Sequence, residues 1–173
     1  PLIARMDADD ISLPDRFEKQ MAFMAANPDH GVLGTWTSDI DERGRPYAVA
    51  SSDHPSTHEA FITSIGNGPM LCHPSVIMRR DVVLSVGGYH AAFKHCEDLD
   101  LWLRLANITK LCSLPERLLQ YRHWSNQISS TYTYAQQVGA AISYLAYLER
   151  AAGRVDPTTT LADLPSIEHL DAL

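Results

Sequence analysis

The stretch ARMDADDISLPDRF, residues 4–17, places three aspartates directly after the apolar start of the chain. Asp7, Asp9 and Asp10 repel one another, so this arrangement needs a cation, a proton or bulk water to relieve the charge. Asp7 and Asp9 form a D-x-D pattern in a predicted strand-to-helix loop, and Mg²⁺ or Mn²⁺ commonly binds one or two carboxylates together with substrate phosphates. The pattern suits a metal–diphosphate site, but by itself it fits a solvated acidic turn better.

Length, composition and charge are those of an ordinary globular domain. The 173 residues are enough for one domain with a sizeable core, and 45% of them are hydrophobic. The formal net charge of -7 argues against a nucleic-acid-binding surface, which would carry a basic stripe. No segment reaches the roughly 18 apolar residues that a membrane span requires.

The cysteines give no sign of a disulfide framework. Cys72, Cys96 and Cys112 form no C-x-x-C pair and their number is odd, so we expect a reducing compartment. The neighbours Cys72-His73 and His95-Cys96 lack the spacing of a zinc module, and each is interpreted as a buried cysteine beside a histidine.

Hydrophobic periodicity predicts a first strand that leads into the aspartates and a first helix that follows them. Ser12 is expected to cap this helix, and Asn27-Pro28 ends it. A stripe at helical spacing is predicted to face the core: Phe17, Met21, Met24 and Ala25.

Further strands and helices are predicted along the rest of the chain. Strands are expected over residues 31–40 and 73–80 and around Pro115, and helices over residues 56–66, 81–89, 96–106 and 134–150. Two of these helices carry predicted core-facing stripes, namely Leu99, Trp102, Leu103 and Ala106 in one, and Val138, Ala141, Ile142, Leu145 and Leu148 in the other. The polar residues 125–134 are expected to form a linker.

A second acidic pair, Glu97 and Asp98, lies in the predicted first turn of the helix over residues 96–106. The helix dipole favours ionised carboxylates there, and a carboxylate with an open side can act as a general base. Taken alone, the pair indicates no more than a favourable helix terminus.

Four segments occur in an order that resembles the family 2 glycosyltransferases of the GT-A fold. They are MDADDISLPDRFEKQ, HPSVIMRRDVVLSVGGY, CEDLDLWLRL and YRHWSNQIS. The resemblance covers Pro1 to about Ser130. It implies an α/β fold, here a partial GT-A domain over residues 1–130 with a mixed sheet flanked by helices, followed by a C-terminal helix and tail over residues 131–173.

The resemblance also implies an inverting, metal-dependent transfer of a sugar from a nucleotide-diphosphate donor to an acceptor hydroxyl. Asp7 and Asp9 match the D-x-D that engages the donor through Mn²⁺ or Mg²⁺, with Asp9 the more direct metal ligand. Asp98 matches the acid that takes the proton from the acceptor, and Glu97 is expected to support it.

Other residues match the family by region only. Arg122 and His123 match a segment that closes over the donor phosphates. His73, Gly87 and Gly88 match the acceptor side, where Trp102 is a further candidate, although a core position suits this tryptophan better. Structural roles also fit these residues, since a glycine can end a helix and a histidine can serve as a hydrogen-bonding residue.

One departure from the family pattern is large. Family members begin with a base-binding strand and loop and a further strand–helix unit before the D-x-D, which amounts to about 80 to 100 residues in an α/β domain of this kind. Without them, sheet edges are exposed and can pair with another chain.

The first alternative is therefore a truncated, non-catalytic module that binds a partner or forms a homodimer through such an edge. A metal-dependent phosphohydrolase is the second alternative, but no convincing further ligands accompany Asp9.

The expected partners follow from the resemblance. They are a nucleotide-sugar donor, of UDP type by expectation, and a glycan, lipid-linked or protein acceptor, with no nucleic acid and no transmembrane segment. We expect a role in cell-envelope polysaccharide synthesis in the cytoplasm, either free or peripheral at the inner face of the membrane.

Overall fold

The computed structural model describes residues 1–47, 53–67, 70–124 and 133–165. Its strands are β1 (Leu2–Ala4), β2 (Ile11–Ser12), β3 (His30–Ile40), β4 (Ile77–Arg79) and β5 (Lys110–Arg122). Its helices are α1 (Arg16–Ala26), α2 (His58–Ser64), α3 (Arg80–Ser85), α4 (Glu97–Leu105) and α5 (Thr133–Ala151), with a short 3₁₀ helix at His73–Ser75.

The described strands form one mixed sheet with the order β1-β4-β3-β5-β2. Strands β3 and β5 are parallel, while the other neighbouring pairs are antiparallel. The register of β3 and β5 shifts between the pairs Thr35–Leu114 and Trp36–Arg117. Residues 115 and 116 of β5 therefore have no paired residue in β3 and form a bulge. Pro115 is tolerated there because a bulge residue does not need to donate a backbone N–H to the neighbouring strand. The expected α/β fold, with a mixed sheet, flanking helices and a C-terminal helix, is confirmed.

Both faces of the sheet pack against apolar clusters. Consecutive strand residues point to opposite sides, so neighbouring residues belong to different clusters. Val32, Met78 and Leu111 face a core shared with α2, α3 and α4. Their neighbours Leu33, Ile77 and Cys112 face a smaller cluster that includes Met24 of α1. These apolar pairs explain why the strands lack a simple polar–apolar alternation.

Helix α1 has a different buried face from the one predicted. Its buried residues are Arg16, Gln20 and Met24, whereas Phe17 is 42% exposed and Met21 56% exposed. The predicted cap is also wrong, because Ser12 lies in β2 and the residue before the helix, Asp15, makes no side-chain capping bond.

The two buried polar residues of α1 satisfy backbone carbonyls. Gln20 donates from Nε2 to the carbonyls of Leu33 (3.0 Å) and Ser75 (2.8 Å). Arg16 donates to the Gln20 Oε1 (3.1 Å) and to the Arg5 carbonyl (2.9 Å). Buried carbonyls require such donors, and a prediction based on hydrophobic periodicity does not detect this need.

Helix α5 also packs through a face other than the predicted stripe. Its buried residues are Gly139, Ser143 and Ala146, while Leu145 is 59% exposed and Leu148 42% exposed. Small residues allow the helix to approach α4 and the loop before it closely, since a larger side chain would hold the backbones apart. The predicted domain boundary at residue 130 and most of the predicted linker lie outside the described residues, and the boundary stays a prediction.

One predicted strand is shorter than expected, and no membrane-spanning helix is found in the part of the chain that the structure describes. The strand predicted over residues 73–80 is mostly absent, because its first part is the 3₁₀ helix and only Ile77–Arg79 pair in the sheet. Among the described helices, none combines the length and the hydropathy that crossing a membrane would require.

The observed face of α1 can be tested with two methionines. We expect Met24→Ala to lower the free energy of unfolding by about 2–4 kcal/mol, because it empties a buried position. Met21→Gln should change it by less than about 0.5 kcal/mol, since that side chain is largely in solvent. Urea unfolding measures both values, and an equal loss in the two variants would contradict the observed face.

Candidate active site

A cavity of about 520 Å³ brings together segments that are far apart in the sequence. It is lined by the loop after β1, the 3₁₀ helix, the start of α4, the end of β5 and one residue of α5. Five carboxylate side chains belong to its lining: Asp7, Asp9, Asp10, Glu97 and Asp98. Both acidic motifs of the sequence therefore face one cavity.

The first aspartate is paired with a cation from its own loop. The Arg5 guanidinium contacts both carboxylate oxygens of Asp7, at 2.9 Å from Nη1 and 2.6 Å from Nη2. This fork-to-fork geometry is the strong form of an arginine–carboxylate pair. Arg5 therefore supplies part of the positive charge that the crowded aspartates require.

The end of β5 holds the other two aspartates. The Arg122 N–H donates to the Asp10 Oδ1 (2.9 Å), and the Arg122 Nε donates to the Asp9 carbonyl (2.7 Å). The indole N–H of Trp124 donates to the Asp9 Oδ2 (2.8 Å). The D-x-D loop is thus attached to the strand that carries Arg122.

Asp10 is the buried member of the loop, with 6% of its surface exposed. Burial raises the pKa of this carboxyl to about 6, and the charges of Asp7 and Asp9 act in the same direction. The hydrogen bond from the Arg122 N–H opposes the rise. Asp10 thus anchors the loop, while Asp7 and Asp9 present more exposed oxygens to the cavity.

On the opposite side, Asp98 lies in the first turn of α4 with 33% of its side chain exposed. Burial raises its pKa, and the Leu99 N–H, which donates to the Asp98 Oδ1 at 2.8 Å, opposes that rise. A carboxylate that is partly desolvated and open to a cavity has the environment of a general base.

His73 lies between Asp98 and a tyrosine. Its Nδ1 is 3.9 Å from the Asp98 Oδ2, and its Nε2 is 2.8 Å from the Tyr89 hydroxyl. Burial, assisted by the Arg5 charge, lowers the pKa of His73 to about 3. The imidazole is therefore neutral near pH 7, so its contact with Asp98 is not an ion pair.

The segment before the Glu97–Asp98 pair is held in an unusual backbone conformation. His95 has a φ of 68°, which a non-glycine residue rarely adopts, and its carbonyl accepts a hydrogen bond from the Gln136 Nε2 of α5 (3.0 Å). One turn further along α5, Gly139 contacts Cys96 so closely that an added Cβ would overlap the Cys96 Sγ. Helix α5 therefore supports the corner from which α4 begins.

The structure brings six predicted residues to the cavity and leaves four outside its lining. Asp7, Asp9, Glu97, Asp98, His73 and Arg122 line it. His123 instead places its Nε2 3.3 Å from the Asp39 Oδ1, between the rings of Tyr47 and Tyr121.

The other three residues outside the lining have structural surroundings. Trp102 is fully buried in the main core, so the suggestion that it lines the acceptor side is corrected in favour of a core position. Gly87 and Gly88 have φ values of 83° and 73° after α3, and Arg104 binds the Gly88 carbonyl at 2.8 Å. These glycines permit the turn that presents Tyr89.

Sequence reasoning did not select several residues that line the cavity, among them Arg5, Trp124 and Gln136. Arg5 and Trp124 each stand two positions from a predicted site residue, and the alternation of extended chain could have suggested them. No local signal indicated Gln136, because its approach depends on the packing of α5.

Comparison with known proteins identifies the family of the chain. The sequence profile described as Glycosyl transferase family 2 matches residues 1–87. The chain belongs to this family. The matched segment includes the D-x-D loop and His73, while the Glu97–Asp98 pair lies beyond it.

Curated relatives extend the similarity past the Glu97–Asp98 pair, and the three described below are named as glycosyltransferases. The chain is 33% identical over 131 residues to the amylovoran biosynthesis glycosyltransferase AmsE of Erwinia amylovora, which covers 74% of this chain and 47% of the relative. It is 37% identical over 124 residues to the O-antigen biosynthesis glycosyltransferase WbnJ of Escherichia coli, covering 70% and 47%. The chain thus spans about half the length of these relatives.

A third relative has a more detailed name. The UDP-Gal:alpha-D-GlcNAc-diphosphoundecaprenol beta-1,3-galactosyltransferase of Escherichia coli is 32% identical over 107 residues, covering 61% of this chain and 38% of the relative.

The contact between α5 and the corner before α4 gives a stability prediction. We expect Gly139→Ala to lower the free energy of unfolding by about 1–3 kcal/mol, because its methyl group collides with the Cys96 Sγ. In a Cys96→Ala background the same substitution should cost clearly less, since the obstructing sulfur is gone. Denaturant unfolding of the four proteins measures this coupling, and strictly additive losses would contradict the close contact.

The neutral state of His73 predicts a pH dependence of stability. Because folding lowers its pKa from 6.5 to about 3, the unfolded chain binds more protons between these values, so this contribution is present above pH 6.5 and is lost as the pH falls. Protonation of His73 alone should lower the free energy of unfolding by roughly 2 kcal/mol between pH 7 and pH 5.

The effect can be isolated by comparison with His73→Gln, because Asp10, whose pKa is raised, contributes with the opposite sign in both proteins. Urea unfolding at pH 7 and pH 5 should show a smaller loss for the variant. Identical losses in the two proteins would mean that His73 protonates as readily folded as unfolded.

Proposed function

We propose that this chain carries the donor-binding and catalytic acids of an inverting, metal-dependent sugar transfer from a nucleotide-diphosphate donor to an acceptor hydroxyl. The observation that supports this most directly is that both acidic motifs line the same cavity. A general base and a site for an anionic donor must lie close together for such a reaction, and the two motifs are about 90 residues apart in the sequence.

Asp7 and Asp9 are the proposed ligands of Mn²⁺ or Mg²⁺. The described residues contain no group of three or more His, Cys, Asp or Glu side chains that could hold a metal ion without help. Two exposed carboxylates nevertheless fit an ion that keeps several waters and binds substrate phosphates. When bound, such an ion would neutralise charge on the diphosphate leaving group.

Asp98 is the proposed general base. It would accept the proton of the acceptor hydroxyl, whose oxygen forms a bond to the anomeric carbon while the bond between that carbon and the diphosphate oxygen breaks. The products are the glycosylated acceptor and the nucleoside diphosphate, and one displacement inverts the anomeric centre. Glu97 and the neutral His73 line the cavity beside Asp98, where they would border the acceptor, and the Leu99 N–H keeps the base oriented.

The donor end of the cavity is proposed to include Arg122. Its guanidinium already binds the Asp9 carbonyl and the carbonyls of Asp41 and Glu42, so it stabilises the loop that would receive the diphosphate. His123 lies outside the cavity lining and contacts Asp39, so its proposed role is to support the end of β5 and not to bind the phosphates directly.

The names of the relatives suggest the substrates. Amylovoran and O-antigen biosynthesis support a role in cell-envelope polysaccharide assembly. The galactosyltransferase uses a UDP sugar and a diphosphoundecaprenol-linked acceptor, which supports a UDP-type donor and a lipid-linked or glycan acceptor. A lipid-linked acceptor would place the reaction at the inner face of a membrane.

A non-catalytic assembly module is the second candidate function. All three residues of β1 are exposed, with Leu2 and Ile3 both at 38%, and β1 is the outermost strand on one side of the described sheet. A strand with a free edge can pair with a second copy of the chain. Concentration-dependent sedimentation distinguishes this function from the first, because it predicts a dimer without any dependence on nucleotide.

The proposed roles of the two acidic motifs can be separated by one calorimetric experiment. UDP is titrated into the chain with and without Mn²⁺. We expect Asp9→Asn to weaken the Mn²⁺-dependent binding at least about tenfold, because it removes a charged ligand. Asp98→Asn should bind UDP normally and, when transfer is assayed, should abolish it, because no base remains for the acceptor proton.

Asp81→Asn, an exposed acid at the start of α3, serves as the matched control and should change neither property. Normal Mn²⁺-dependent binding by Asp9→Asn would contradict the metal assignment. Full transfer by Asp98→Asn would contradict the base assignment and leave the metal assignment standing.

A further inference from the structure

Arg5 is fixed by its backbone at the edge of the cavity. Its N–H donates to the Val76 carbonyl (3.0 Å), and its own carbonyl accepts from the buried Arg16 (2.9 Å). With the backbone held on both sides, only the side chain of Arg5 is free to move. That side chain lines the cavity and is 28% exposed.

The Arg5 guanidinium occupies the oxygens that a metal ion would need. Both Asp7 oxygens are engaged, at 2.9 Å and 2.6 Å. A divalent cation bound to those oxygens would lie within a few ångströms of the guanidinium, and like charges at that distance repel strongly. Arg5 and a divalent cation therefore compete for Asp7.

Arg5 also lies within electrostatic reach of both acidic motifs. Its positive charge opposes the rise in the pKa of Asp10 on one side and of Asp98 on the other. The intervening space is where the cavity would receive an anionic donor. A planar guanidinium at this position has the geometry to bind two phosphate oxygens at once.

We propose that Arg5 holds Asp7 as a counter-ion until a divalent cation takes that carboxylate, and that the displaced guanidinium then binds the donor diphosphate. This inference rests on the proposed function. It explains how a cavity lined by five carboxylates can accept an anionic diphosphate. The Arg5 guanidinium neutralises Asp7 in the unliganded chain, and it becomes available to the diphosphate when the metal ion replaces it at Asp7.

The test compares Arg5→Met with the unmodified chain in two titrations. With Mn²⁺ alone, we expect the variant to bind about 3- to 10-fold more tightly, because Asp7 is no longer occupied. With UDP at saturating Mn²⁺, we expect it to bind about tenfold more weakly, because a phosphate ligand is lost. The opposite signs of the two changes distinguish this role from general damage to the fold.

A matched control and a double-mutant cycle sharpen the test. Arg154→Met removes an exposed arginine that pairs with Glu149 through two contacts at the end of α5, and it should change neither affinity. In an Asp7→Asn background, Arg5→Met should no longer tighten Mn²⁺ binding, since the competition has been removed.

A measurement on the unmodified chain does not depend on any variant folding. The Arg5 Nε–H resonance, assigned by through-bond correlation to the Arg5 backbone amide, should shift when Mg²⁺ is added, because the guanidinium leaves Asp7.

The outcomes separate this inference from the proposed function. An unchanged Mn²⁺ affinity in Arg5→Met, or an unmoved Arg5 resonance, would overturn the counter-ion role. An unchanged UDP affinity would overturn the phosphate role. Neither of these results would contradict the proposed metal site at Asp7 and Asp9. If the unmodified chain bound no Mn²⁺ at all, the metal-dependent part of the proposed function would fail, and this inference with it.

Discussion

Strand β5 pairs in parallel with β3 on one side and antiparallel with β2 on the other. Because β2 directly follows the three aspartates, this pairing brings the D-x-D loop to the end of β5, where Arg122 and Trp124 bind Asp9 and Asp10. The position of the acidic loop therefore depends on the register of the sheet. The bulge at Pro115 contributes to that register, since it sets which β5 residues lie opposite the end of β3.

A buried polar network in α1 supports the same loop through the backbone of Arg5. Arg16 and Gln20 of α1 are fully buried, and their hydrogen bonds reach Arg5, Leu33 and Ser75. Most of their polar side-chain atoms are hydrogen-bonded, but the buried Arg16 Nη1 has no partner among the described residues. A network of this kind fixes geometry more than it adds stability. Helix α1 therefore contributes to the site by positioning Arg5, and it leaves part of its apolar surface in solvent.

Much of the architecture could be predicted because it is encoded locally. The apolar strand of β3 and the four segments that resemble the family led to the α/β fold and to both acidic motifs, whereas the expected helix cap at Ser12 was wrong. Prediction failed where a tertiary contact outweighed periodicity. The stripe of Phe17 and Met21 faces solvent because buried carbonyls needed the donors of Arg16 and Gln20, and Leu145 is exposed because small residues let α5 approach α4.

The sequence by itself determined which side chains carry charge and in what order, because composition, spacing and helix-terminal signals are properties of neighbouring residues. Only the tertiary structure decided that Asp7, Asp9 and Asp98 share a cavity, and that Arg5 and Gln136 belong to the site. These facts depend on contacts between residues tens of positions apart. Such contacts follow from strand register and close helix packing, which no local pattern specifies.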